Sequence, residues 1–173
     1  MRIFKPSHAV RASALILVSA TLGGCGGSAP AAVAQNPEQI VFTAASDCAA
    51  TGKIKPAQCS QAIEAALNQH LAGSPVYRSL ALCETTEGTE KCERMDAKSY
   101  RPRLAAMIAS VAAAEQAEAT GTPLAATPLY PTQAGEQGFR MLDKSVILID
   151  GENLVFSPQA IAAAELSSVV ATP

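Results

Sequence analysis

"RLAAMIASVAAAEQAEA", Arg103 to Ala119, is the stretch on which the fold class turns. Alanine dominates it, and alanine is the strongest helix former. Pro102 stands near its start, where a missing N–H does no harm. Gly121-Thr122-Pro123 closes it. At helical spacing Leu104, Met107, Ile108 and Val111 share one face. The expectation is a helix from Pro102 to about Ala119 whose apolar stripe packs on the rest of the chain. A helix lying on a membrane would need a basic polar face, and here that face carries Glu115 and Glu118.

Upstream, "KPAQCSQAIEAALNQHLAG" (Lys55 to Gly73) reads as another helix. Pro56 suits the first turn, Cys59, Ile63, Leu67 and Leu71 recur at i+4, and Gly73 ends it. "SPVYRSLALCETTEG" suggests a loop and then a short helix from about Leu80 to Gly88. Downstream, Thr122 to Gln137 is punctuated by Pro and Gly and reads as linker. "FRMLDKSVILIDGENLVFSP" then suggests two or three short strands, with Asp150-Gly151 as a hairpin turn between "VILI" and "LVF". Ser157-Pro158 looks like a cap and first residue for a terminal helix. No internal repeat is visible. The fold class expected is mainly α: a small disulfide-stapled helical module, a short C-terminal β-hairpin or meander, and a terminal helix. It becomes α+β if the hairpin packs on the module.

Five cysteines are present, at 25, 48, 59, 83 and 92. Cys25 follows an exported-protein leader. Arg2, Lys5 and Arg11 form a positive n-region, and "ASALILVSATL" (Ala12 to Leu22) is an apolar run of signal-peptide length. That run is shorter than the roughly 20 apolar residues a membrane span requires. Leu22-Gly23-Gly24 before Cys25 resembles the bacterial lipobox. The resemblance implies that residues 1–24 are removed and Cys25 is lipidated. Gly26 rather than Asp after that cysteine implies an outer-membrane address, facing the periplasm. Two or more acyl chains hold firmly where one is marginal. Residues 25–39 then form a flexible tether.

Without its leader the chain has 149 residues, and its Lys plus Arg count falls from 13 to 10 against 15 Asp plus Glu, a formal charge of −5. That balance argues against nucleic acid as a partner and against electrostatic docking on anionic lipid. Hydrophobic residues make up 49% but aromatic ones only 4%, so the core is thin and staples are expected. An even set of four remaining cysteines in an oxidising compartment reads as two disulfides. Spacings of ten and eight residues do not suit a zinc site, and neither CxxC nor CxxCH occurs.

Three pairings are possible. If the two upstream helices fold back on each other, Cys59 lies about 18 Å before the hairpin end and Cys83 about 6 Å beyond it. A disulfide tolerates Cα separations of only about 4.4–6.8 Å. The local pairs Cys48–Cys59 and Cys83–Cys92 are favoured.

"DCAATGKIKPAQC", 23 residues, then "CETTEGTEKC" forms a distinctive frame. An Asp precedes the first cysteine, Pro75 and Tyr77 precede the third, and Gly88 lies inside the last loop. This block, Asp47 to about Arg94, resembles the YgiB-type bacterial lipoproteins, domain-of-unknown-function family 1190. "TPLYP" (Thr127 to Pro131) and "VILIDGENLVF" resemble segments of the same family more loosely. The alanine-rich middle departs from the Gly-, Met- or Ser-rich middle of those relatives. The resemblance implies an envelope address and a stapled module, with no reaction attached. Relatives stand beside ATP-grasp ligases resembling glutathionylspermidine synthase, which implies a shared envelope or polyamine-linked process by association; an envelope protein partner is a further expectation.

The domain plan expected is leader (1–24), tether (25–39), four-cysteine helical module (40–95), alanine-rich helix (96–121), linker (122–137), and strands with a terminal helix (138–173). Chemistry is sparse. His8 leaves with the leader, and His70 alone, near a helix C-terminus, supports neither a triad nor a His-based metal site. HExxH, GxSxG, P-loop and GxGxxG motifs are absent. Asp150, Glu152 and Asn153 lack the order of a calcium loop. The acidic run "ETTEGTEKCERMD" reads as a solvated face, and Tyr77 and Tyr100 stay open between core and recognition surface. The expectation is therefore no enzyme, no cofactor, no metal, and an unidentified ligand. The leading function is a non-catalytic structural or interaction module; the alternative is a thiol–disulfide or accessory subunit of an envelope enzyme system.

Overall fold

In the computed structural model residues 37–132 and 136–168 are described. The leader, Cys25 and most of the tether lie outside them. In chain order the elements are β1 (Gln39–Phe42), α1 (Ala45–Ala50), α2 (Pro56–Gly73), α3 (Leu80–Glu87), β2 (Cys92–Arg94), β3 (Tyr100–Pro102), β4 (Ala106–Ser110), α4 (Val111–Thr120), β5 (Thr127–Pro131), β6 (Gly138–Arg140), β7 (Val146–Leu148), β8 (Leu154–Phe156) and α5 (Pro158–Ser168).

Six strands form one sheet in the order β7-β6-β5-β4-β1-β8, and β2 pairs with β3 separately. Every neighbouring pair in the large sheet is antiparallel except β1 with β8. The chain is therefore not mainly α, and the sheet overturns that expectation. Its central strand β4 lies inside the stretch expected to be a helix. Ala106 and Ile108 pack into one apolar cluster with Val41, Leu129 and Phe139, while Met107 and Ala109 pack into another with Ile40 and Phe42. Both faces are covered, so the strand reads as a continuous apolar run. Periodicity alone cannot separate such a run from a buried helix.

Ser110 turns strand into helix without a loop. Its Oγ accepts from Ala113 N at 3.3 Å, and Gly121, at φ 68°, closes α4. The expected helix thus survives only from Val111 onward.

Two further expectations change. Thr127–Pro131 is not linker but β5, buried between β4 and β6. "VILI" and "LVF" do not pair with each other, since β7 and β8 stand at opposite ends of the sheet. The Asp150-Gly151 turn exists, with Gly151 N donating to Leu148 O at 3.1 Å, yet it joins the two sheet edges. Five interstrand steps in a flat sheet would separate those edges by about 24 Å. The six-residue link from Leu148 to Leu154 includes a turn, which limits it to about 17 Å. The sheet must curl, and α5 packs on β1, β6 and β8 from within the curl.

On the other face α1, α2 and α4 cover β1 and β4. α2 occupies the span expected of it but turns a different side inward. Cys59, Ala62, Ala66 and His70 are buried, whereas Leu67 and Leu71 are 40% and 56% exposed. Small residues let the helix sit close to the sheet, and the Cys48–Cys59 bond fixes it beside α1. Asp47, next to that bond, accepts from Thr43 N at 2.9 Å and from the hydroxyl of Ser157. Ser157 Oγ also accepts from Ala160 N, capping α5. One carboxylate thus ties β1, α1 and α5 together.

Candidate functional site

Glu87 is the last residue of α3. Ser79 starts that helix by accepting from Leu82 N at 3.2 Å, and Gly88, at φ 111°, ends it. The Cys83–Cys92 bond then folds β2 back beside α3. Glu87 is held among the eight residues enclosed by this bond, with its side chain fully buried. The expectation of a solvated acidic face therefore fails at Glu87, although Glu90 is exposed.

A buried carboxylate is costly unless paired. Arg140, from β6, donates Nη2 to Glu87 Oε2 and Nε to Pro131 O at 3.1 Å. The Tyr77 hydroxyl donates to Glu87 Oε1. Lys144 places Nζ 3.3 Å from both carboxylate oxygens, with its side chain 57% exposed. Tyr77 is itself pinned by two backbone bonds with Tyr100, at 2.8 and 2.9 Å. Tyr100 turns outward, where Arg94 Nη2 donates to its hydroxyl at 3.1 Å.

A second network lies alongside. His70, in the last turn of α2, is buried rather than presented to solvent. Its Nδ1 lies 3.0 Å from Tyr130 Oη, and its Nε2 lies 3.1 Å from Glu93 Oε1, which also accepts from Arg101 Nε at 2.8 Å. The Arg140 guanidinium, 5.8 Å from the centre of the Tyr130 ring, joins the two networks. Between them opens a cavity of about 350 Å³, walled by Tyr77, Tyr130, Arg140, Lys144 and the rings of Pro75 and Pro102.

Burial alone would raise the Glu87 carboxyl, but the Tyr77 hydrogen bond and the charges of Arg140 and Lys144 outweigh it and hold it below the ordinary carboxylate value. Burial, aided by the bond to Glu87, pushes the Tyr77 phenol up to about 12. Burial does the same to Tyr130, against the lowering effect of Arg140. At neutral pH the carboxylate stays charged and both phenols stay neutral. Such groups hold charge and shape in place; they are poorly matched to proton transfer, which works best near the operating pH.

Cys48, Cys59, Cys83 and Cys92 are all buried in their two bonds. Among the described residues no group of three or more His, Cys, Asp and Glu is placed to hold a metal, and no helix is long and apolar enough to cross a membrane. Sequence reasoning missed Glu87, Arg140, Lys144 and Tyr130. A charged residue whose partner lies 53 positions away leaves no local signal.

A curled mixed sheet, helices on both faces, two buried disulfides and a paired polar cluster beside a small cavity define a stapled α+β module. The chain belongs to the DUF1190 family, proteins of unknown function, whose model matches residues 36–160. No curated protein and no solved structure matches it. Two disulfides fit a chain that folds outside the cytoplasm.

Proposed function

We propose that this chain is a non-catalytic interaction module of the bacterial envelope, anchored through Cys25 to the outer membrane and facing the periplasm. The observation that carries the reading is the state of the polar cluster. Glu87, Arg140 and Tyr77 are committed to one another, and the shifts at Glu87, Tyr77 and Tyr130 lead away from neutrality. An acid–base enzyme shifts its working groups the other way. The alternative is a thiol–disulfide or accessory subunit of an envelope enzyme system, and its thiol–disulfide form needs a sulfur that an incoming thiolate can reach. All four bonded cysteines are at most 6% exposed, which weighs against exchange.

The test is in-cell cross-linking of a tagged full chain, with mass spectrometry of what co-purifies from the membrane fraction. Repeated enrichment of a non-enzymatic envelope complex supports the module reading, and enrichment of an envelope enzyme would make the chain its accessory subunit. Turnover of a substrate by the purified chain, with no partner enriched, would overturn it.

A further inference from the structure

We propose that the cavity walled by Tyr77, Tyr130, Arg140 and Lys144 binds a small monocarboxylate with an apolar body. This deepens the module reading above and rests on it. Two cations and one anion meet at the cavity: Arg140 and Lys144 against Glu87. The set carries one net positive charge, and a monoanion neutralises it.

The three groups are not held alike. Arg140 is buried and in close contact with Glu87. Lys144 is more than half exposed, and its 3.3 Å contacts are longer than the 2.7–2.9 Å usual for charge-assisted bonds. Glu87 keeps Arg140 and Tyr77 if Lys144 turns away. Lys144 is therefore the cation free to meet an incoming carboxylate, with Glu87 as its resting counter-ion. The second Arg140 terminal nitrogen, Nη1, takes no part in the bonds to Glu87 and Pro131.

The backbone supplies a separate observation. Met141 N donates to Ser145 O, and Lys144 N to Met141 O, so a three-residue turn joins β6 to β7. Its last residue, Lys144, sits at φ 71°, the left-handed position that glycine fills without strain. The turn itself calls for a left-handed residue at this place, and a lysine rather than a glycine fills it. What this one gains is an ammonium at the rim.

The remaining walls decide the body of the ligand. Pro75, Leu142 and the Tyr77 ring supply the apolar surface, with Pro102 and Tyr130 buried behind them, and about 350 Å³ lies at the small end of ligand pockets. A primary amine would meet Arg140 and Lys144 as like charges.

The chain has no Trp and three Tyr, two of which wall the cavity, so tyrosine emission reports the site directly. The full chain is titrated with hexanoate and cyclohexanecarboxylate, and in parallel with hexylamine and hexanamide. Saturable change with the carboxylates, half-complete at roughly 1 mM or below, is expected, and none with the amine or amide. Lys144→Gly, which relieves the strained backbone, is expected to melt no lower than the wild type yet bind about tenfold more weakly.

Equal response to amine and acid overturns the proposal. So does unchanged binding by Lys144→Gly, or no response to either carboxylate. A carboxylate that binds and is recovered chemically altered leaves the cavity assignment standing and sinks the non-catalytic reading. A cross-linked partner without carboxylate binding does the reverse.

Discussion

Glu87 and Arg140, 53 residues apart, form a buried ion pair in which the carboxylate side chain has no exposed surface and the guanidinium side chain 8%. The pair joins the loop closed by Cys83–Cys92 to the sheet. Breaking it strands a charge in the interior. Glu87→Ala is expected to cost about 3–5 kcal/mol, measured by urea unfolding. Glu87→Leu combined with Arg140→Met removes both charges and is expected to cost less than Glu87→Ala alone. A larger loss in the double variant would mean that the pair is not the unit of stability.

Stability is expected to fall at both ends of the pH scale. A lowered folded-state value means that the folded chain releases the Glu87 proton more readily than the unfolded chain. That stabilisation is whole above the ordinary value of 4.5 and is lost as pH falls through the lower folded value. Tyr77 and Tyr130 behave oppositely. Raised from 10.0 to about 12, they contribute stability that is whole below pH 10 and lost as pH rises through about 12. Urea midpoints across the pH range check the first effect, and ultraviolet titration of tyrosinate checks the second.

Two glycines fail for different reasons. A Cβ on Gly138 would lie 2.2 Å from the Ile147 carbonyl oxygen, inside the β6–β7 ladder. Gly138→Ala must push the strands apart and is expected to cost about 3 kcal/mol or more. A Cβ on Gly52 meets nothing within 4 Å, but φ is 68° there. Gly52→Ala is expected to cost about 1–2 kcal/mol through the backbone alone. Thermal melts of the two variants side by side separate contact from conformation.

Replacing Cys83 and Cys92 by Ser opens the loop that carries Glu87. Chain-entropy reasoning sets the loss at about 2–3 kcal/mol for a loop of this length. Amide exchange should quicken across α3 and β2 before it does so in β4. Uniform quickening would mean that the bond stabilises the whole fold equally.

Much of the local punctuation was legible in the residues themselves. Pro56 and Gly73 bound α2, Gly88 and Gly121 end α3 and α4, and Ser157 with Pro158 opens α5. These features act within one turn of chain, so neighbouring residues suffice to read them. Three strands of the sheet, β6, β7 and β8, lie where two or three short strands were expected, but β1, β4, β5 and the pairing of the whole were not legible. "QIVF", "AMIAS" and "TPLYP" are runs of four or five residues whose strand character comes from pairing with segments tens of residues away. Alanine's helix preference masks β4, and tertiary pairing overrides it. The inward face of α2 was misread for a related reason. Large apolar residues mark the inner side only where the neighbour leaves room for them, and here alanines and a disulfide face the sheet. Glu87 looked like one carboxylate in an acidic run because its partners, Arg140 and Lys144, are distant in sequence.

The non-catalytic reading stands or falls most directly on the protonation of Glu87. Carbon-13 NMR of its side-chain carboxyl through an acid titration gives that value, with Glu87→Gln to assign the signal. A midpoint below 4.5 is expected, with the signal in its carboxylate form throughout the neutral range. A midpoint raised towards neutrality would make Glu87 a poised acid, and the cluster would have to be read as an active site.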